Sequence, residues 1–400
     1  MTLSGDVGLS VDNAITEWWV GPTATYLAGR TIFGAIATNG DILACELDHA
    51  TGQTQRAIAG TANNDDHNAP AIWAAEGRRS LLARSVHGSS TSLFFKVSDL
   101  DGTVASFATA TEQTYEFDGG ASYTQIHRIE HLSDATQDTF WVFTRVTSAT
   151  WRLLPLSVDQ ATGAITFGTD VTLLTAGGQT YISTADAHSA GDQTIRFAWG
   201  YNPASGLHAI RYVEINAVTG AITSPVDLAV AANVDGTNLP LADEAIAPLI
   251  GEPASTHTRR LFYVRPGPMP PAVAYADWAT ADPDTAAYKV TASTGGGTWA
   301  TTGYGTSGAR LGYTADANYI AGMAFPNPCS TDMVAVARVD GDGVSTVKRY
   351  AGTAPTVLAT DTVHRLARPV FPVGGGDRLL INQVTFYGSC LLYTSDAADE

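Results

Sequence analysis

Asp65-Asp66-His67-Asn68-Ala69-Pro70-Ala71-Ile72-Trp73 is the stretch whose reading decides the fold. A polar turn closed by proline opens a short run of strand-forming residues, and the next apolar run, Ser80-Leu81-Leu82-Ala83-Arg84-Ser85-Val86-His87, ends on a second histidine. If the two runs are neighbouring antiparallel strands, the start of the first and the end of the second share one edge of the sheet. His67 and His87 then face a common space. Either histidine alone reads as an ordinary turn or surface residue; the pair gains meaning because later segments put polar groups at equivalent points.

Working outward, the composition favours strands throughout. Of 400 residues only 15% are charged and 39 are glycine, with Thr, Ser and Ala abundant. Gly, Thr and Ser are poor helix formers, and no window sustains a helical apolar stripe, whereas alternation recurs. The class is all-β. A chain this long exceeds the usual single compact domain unless the fold repeats.

It does repeat. Leu47-Asp48-His49-Ala50-Thr51-Gly52, Ser98-Asp99-Leu100-Asp101-Gly102, Val158-Asp159-Gln160-Ala161-Thr162-Gly163, Ile215-Asn216-Ala217-Val218-Thr219-Gly220 and Val339-Asp340-Gly341-Asp342-Gly343 each read as strand, acidic or amide turn, glycine, strand. The glycine supplies the positive φ of a tight connection, and the Asp or Asn bonds the local backbone. The first four glycines recur at roughly 50–60 residues, the period of a four-stranded propeller blade. The first module drafts as strands over 23–28, 31–38, 41–48 and 53–58. The second begins at His67, the third near Ser122, the fourth near Thr180, the fifth near Leu239; the sixth covers 318–350, and the seventh shows two strands, 364–373 and 378–387. The expectation is a seven-bladed β-propeller of four-stranded antiparallel blades over residues 15–388, its last blade cut short. Residues 1–14 form an N-terminal extension and 389–400 a non-native tail, because the final ten residues resemble a translated sequencing adapter.

The formal net charge is −17, and lysine occurs only at positions 96, 289 and 348. Such a chain repels polyanions at long range, which argues against nucleic-acid and anionic-membrane partners and for a soluble monomer. Cys45, Cys329 and Cys390 have no metal-ligand spacing and imply no disulfide framework. No apolar stretch reaches transmembrane-helix length. Met1–Asp6 lacks the basic flank and apolar core of a secretory signal. The expected location is nonetheless extracellular or virion-associated, either with an export signal missing from this sequence or with exit by another route such as phage release.

The repeat extends the opening observation. Inner strands start at His67, Tyr123 and Tyr181, and their partner strands end at His87, at Arg145 and near Tyr201, an offset of roughly 20 residues each time, as a hairpin returning to one edge requires. Two His, two or three Tyr and one Arg therefore ring one mouth of the axial channel, where propellers usually hold ligands. Removing the proton next to a uronate carboxylate and expelling the glycosidic oxygen needs a base, an acid, and a cation that neutralises the carboxylate. His or Tyr can serve as base and acid, and Arg as the cation through a bidentate contact. Hydrolysis by paired carboxylates fits less well, since the side chains of Asp65 and Asp66 diverge in extended chain. Packing at blade seams is the plain alternative for each tyrosine, and a surface strand end for Arg145.

The motif Asp65–Pro70, the run Ser85-Val86-His87-Gly88, and Tyr123 followed by Phe143-Thr144-Arg145 resemble the BNR repeat-containing family, whose members include seven-bladed-propeller ulvan lyases. The likeness covers most of residues 15–388 and is strongest in the first four modules. It implies that His67 and His87 match active-site histidines, Tyr123 a catalytic tyrosine and Arg145 a carboxylate-neutralising arginine, with Tyr181 lining the groove. Ala292–Trp299 is similar to a degenerate Asp box with Thr294 at the acid position. On this basis Asn68, Tyr181, Tyr201 and His208 are the expected substrate contacts. The expected substrate is an acidic, ulvan-like polysaccharide, sulfated or not, and the chemistry is expected to need no cofactor. A structural divalent metal has His188 and His208 as candidates and no assigned place. A non-catalytic carbohydrate-binding propeller of a phage virion or surface protein is the alternative; a sialidase-type hydrolase ranks third, for want of an arginine triad.

Overall fold

The computed structural model describes residues 14–15, 20–62, 65, 68–86, 90–100, 102–189, 192–201, 209–251, 257–258, 262–279, 282–307, 322–325, 333–338, 345–351, 354–361, 364–373 and 379–385. Seven sheets follow one another along the chain, with 3-10 turns as the helical segments among the described residues. The first sheet holds Ala14–Ile15, Ala24–Leu27, Arg30–Ala37, Asp41–Asp48 and Thr54–Thr61; the second holds Ala71–Trp73, Leu81–Arg84, Ser92–Val97 and Gln113–Glu116. In the third, Ser122–Arg128, Gln137–Thr147 and Thr150–Asp159 run antiparallel, and Val171–Thr175 extends the order. The fourth is built on Thr180–Ser189, Asp192–Tyr201 and Ile210–Asn216. The fifth carries the long hairpin Asp282–Gly295 and Thr298–Thr306. The sixth runs Gly322–Ala324, Met333–Arg338, Ser345–Ala351 and Ala354–Asp361, and the seventh pairs His364–Val370 with Leu380–Thr385.

The chain is an all-β propeller, and its first sheet is joined to the segment that follows the first strand of the seventh. Val373, just past the inner strand of the seventh sheet, donates its N–H to the Ala24 carbonyl at 3.0 Å and accepts from Tyr26 N at 2.8 Å. Gly21 reaches further inward and bridges to Gln125 on the inner strand of the third sheet. Ala14 joins Ile15 in a strand against Arg30–Ala37, so the sheet begins at the last residue assigned to the extension. The tail 389–400 lies outside the described residues.

The repeated turns form as their sequences require. Asp48 Oδ1 accepts from Ala50 N and Thr51 N, Asp159 Oδ1 from Thr162 N, and Asn216 Oδ1 from Val218 N and Thr219 N. Gly52, Gly163 and Gly220 take φ of 68°, 76° and 73°, which leaves their N–H groups aimed back at the carbonyls of Asp48, Asp159 and Asn216. The fifth such turn, at 340–343, lies outside the described residues. At the expected Asp-box remnant, Thr294 and Thr298 share a hydroxyl hydrogen bond of 2.6 Å across the Gly295–Gly297 turn.

One drafted boundary is corrected. The fifth module was expected to begin near Leu239, but Leu241–Ala242 pairs in parallel with Val171–Thr175 of the third sheet, and the first described strand of the fifth is His257–Thr258. The segment after the fourth sheet folds back along the seam before the next sheet starts, a long-range pairing with no local sequence signal.

Seams are held by packed aromatics and by buried charge. Phe143 of the third sheet meets Phe197 of the fourth at 5.8 Å between ring centroids. Between the second and third, the fully buried Asp138 takes Arg78 Nη2 at 2.7 Å, Arg128 Nε at 2.6 Å and Gln160 Nε2 at 2.8 Å. Such a carboxylate tolerates burial because each lone pair is met by a charged or amide donor.

Candidate active site

The third and fourth sheets bring together three of the residues singled out from sequence. Ser122 stands opposite Arg145 in the antiparallel register, and Arg145 opposite Trp151 on the next strand, so the inner three strands align these side chains in one row. The register slips between Ser122 and Gln125, and within that slip Tyr123 adopts φ of 55°. A bulky residue with left-handed backbone is an outlier that surrounding structure must hold in place, and such residues cluster at functional sites. The slip turns the Tyr123 ring toward Arg145. The guanidinium carbon lies 4.5 Å from the Tyr123 centroid and 5.5 Å from that of Tyr181, and the two tyrosine rings meet edge to face at 5.6 Å. A planar cation over aromatic faces is attracted by the ring quadrupoles and keeps a fixed orientation. Arg145 Nε also donates to Ser122 Oγ at 3.3 Å.

The group is enclosed. Tyr123 and Tyr181 have no solvent exposure, Arg145 retains 3%, and both tyrosines belong to the largest apolar cluster. Behind Tyr123 the Trp151 ring lies at 6.4 Å and 26°, and its indole Nε1 donates to Thr180 Oγ1 at 3.1 Å.

The remaining expected residues fall in two groups. His67, His87 and His208 lie outside the described residues. Beside them in sequence, Asp65, Asn68 and Ser85 are buried, and Asn68 N donates to the Asp65 carbonyl at 3.0 Å. Tyr201 pairs with Thr180 as expected of a strand end, yet its hydroxyl donates to Asp243, which also accepts from Trp199 Nε1 and lies 3.3 Å from Arg211 Nε. Burial first, then the Asp243 carboxylate, pushes the Tyr201 phenol up to about 12. That carboxylate and the Gly177 N–H, which donates to the phenol oxygen at 3.2 Å, are polar partners of the Tyr201 hydroxyl.

His127 lies on the strand Ser122–Arg128 that also carries Tyr123. It is buried, with Nδ1 at 3.0 Å from Asp186 Oδ2 and Nε2 at 2.6 Å from Thr184 Oγ1 of the neighbouring sheet. Trp151, Ser122 and Asp243 were not anticipated. A signal existed for Trp151: the turn at Ser148-Ala149 folds the chain so that Arg145 and Trp151 oppose one another. Among the described residues, no cluster of three or more His, Cys, Asp or Glu is arranged to hold a metal ion.

No family model and no curated protein sequence matches the chain. Solved structures do. An ulvan lyase of polysaccharide lyase family PL25 superimposes with TM-score 0.61 at 10% identity, over 94% of this chain and 91% of that one. The same type of enzyme bound to -[GlcA(1-4)Rha3S]- gives TM-score 0.61 at 10% identity over 95% of both chains. A 6-phosphogluconolactonase-like protein from Bacteroides fragilis gives 0.48 at 11% identity, over 90% of this chain and 88% of that one. The likeness to the ulvan lyases establishes a shared propeller fold; the BNR repeats expected from sequence are not borne by a family model.

Proposed function

We propose that this propeller is a polysaccharide lyase that cleaves a uronate-containing, ulvan-like glycan by β-elimination. The observation that carries the reading is the Arg145 guanidinium held against Tyr123 and Tyr181, with Tyr123 in a left-handed backbone at a register slip. Arg145 neutralises the uronate carboxylate, which makes the adjacent proton acidic enough to remove. Tyr123, with His67 and His87, supplies the base and the acid that meets the leaving oxygen, and Asn68 and Tyr181 contact the sugar. His208 is retained as a sugar contact, whereas Tyr201 acts through Asp243 as a seam residue. The step needs no cofactor, because proton transfer and charge neutralisation are supplied by side chains. The acting form is a monomer met outside the cell or on a virion. The full-length fold likeness to ulvan lyases is consistent with this reading.

The burial of Tyr123 and Tyr181 favours a second reading, a propeller that binds carbohydrate without cleaving it and uses these tyrosines as core. The two separate on one assay. The protein is incubated with a panel of acidic polysaccharides, among them one with -[GlcA(1-4)Rha3S]- repeats, while ultraviolet absorbance is followed. Growth of the band of an unsaturated uronate supports elimination; binding with no new double bond supports the second reading and rejects the first.

A further inference from the structure

The most informative unassigned feature is the contact behind Tyr123. Trp151 is fully buried, and a buried indole N–H is costly unless it finds an acceptor. It finds Thr180 Oγ1, which belongs to the neighbouring sheet and is itself fully buried. Thr180 directly precedes Tyr181 in the chain, and its backbone N–H is bonded to the Ser148 carbonyl at 2.9 Å, at the turn of the hairpin that carries Arg145 and Trp151. One side-chain hydrogen bond and one backbone bond therefore tie the hairpin of the third sheet to the start of the inner strand of the fourth. Of these, the indole contact alone reaches a group that touches Tyr123.

We propose that Trp151 and Thr180 are a positioning pair, whose hydrogen bond sets the placement of the touching Tyr123 and Tyr181 rings against which Arg145 is held. The proposal rests on the elimination reading of that site. With the bond made, the indole plane backs the Tyr123 ring and Tyr181 is drawn to the same seam, so both rings keep their distance to the guanidinium. Without it, the two sheets keep the Thr180–Ser148 backbone bond while the rings are free to drift. A drift of about 1 Å in a reacting group costs on the order of a hundredfold in rate. The effect should appear in turnover more than in substrate binding, because the misplaced groups act chiefly in the transition state.

The test uses the full chain and the uronate glycan on which the wild type is active. Thr180→Val keeps the shape and removes the acceptor, Thr180→Ser restores it, and Trp151→Phe keeps a ring behind Tyr123 without the N–H. Thr180→Val is expected to lower kcat about tenfold or more with KM changed by no more than about twofold, and to move the pH profile of kcat. Thr180→Ser should recover most of the loss, and Trp151→Phe combined with Thr180→Val should be no worse than Trp151→Phe alone. Full turnover in Thr180→Val, a loss that only follows the folded fraction with an unchanged pH profile, or multiplicative losses in the double variant would each overturn the pair. A wild type inactive on every uronate glycan would instead reject the elimination reading itself, and the positioning role with it.

Discussion

Tyr123 combines three properties rarely found together: full burial, a positive φ and an aromatic ring laid against an arginine. Each is a cost or a constraint for plain packing, and together they describe a side chain whose direction matters. Under the elimination reading, Tyr123→Phe removes only the hydroxyl, so turnover should fall about a hundredfold or more while the melting temperature stays close to wild type. Steady-state rates with a parallel thermal scan check this, and an unchanged rate would remove Tyr123 from the chemistry. Tyr123 and Arg145 were legible in the sequence because hairpin spacing alone sets Ser122 opposite Arg145. The engagement of Tyr201 was not: its partner Asp243 lies 42 residues onward, on a segment whose return to the third sheet has no local signal. Trp151 was passed over for a different reason, since one buried tryptophan among many apolar strand residues looks like core until its register with Arg145 is known.

At the level of sheets and turns, two kinds of polar contact carry separate consequences. Asp138 joins the third sheet to the second through Arg78, and within its own sheet holds Arg128 and Gln160. Asp138→Ala would take a buried acceptor from Gln160 and from two partly exposed arginines, and a loss of about 1–3 kcal/mol in unfolding free energy is expected from denaturant titration. The exposed turn aspartates behave differently. Backbone N–H groups of Thr51 and Ala50 hold the Asp48 carboxyl below its ordinary value of 3.8, and the Thr162 backbone N–H and then its hydroxyl do the same for Asp159. A carboxyl lowered by folding contributes stability that is fully present above its unfolded pKa and lost as pH falls through the folded one. The melting temperature should therefore be flat near neutrality and decline below about pH 4, with a shallower decline in Asp159→Asn, which keeps the turn without the titration. Asn216 already fills that role in the fourth sheet. These turns were the most readable part of the chain, because one Asp or Asn and one glycine at fixed spacing carry the whole instruction. The return of Leu241–Ala242 to the third sheet was unreadable for the opposite reason.

Over the whole molecule, the sheets form one series whose ends are joined by backbone bonds at Val373. A ring so closed resists opening only while that junction holds, and proline at the position has no N–H to give Ala24. Val373→Pro should lower the melting temperature by several degrees, a shift of the size expected for losing a cap or a ladder bond, and should leave the far-ultraviolet spectrum strand-like. An unaltered melting temperature would mean that closure is carried elsewhere. The repeat predicted the series of sheets. It did not predict that Gly21 crosses inward to bridge Gln125 on the third, since such a contact depends on the assembled ring. Fold alone leaves the activity open, because propellers serve many purposes. The most direct test is to digest a uronate glycan in water enriched in heavy oxygen and weigh the fragments. Elimination predicts new ends that lack one water and carry no label; labelled, saturated ends, or glycan recovered intact from every substrate, would contradict it.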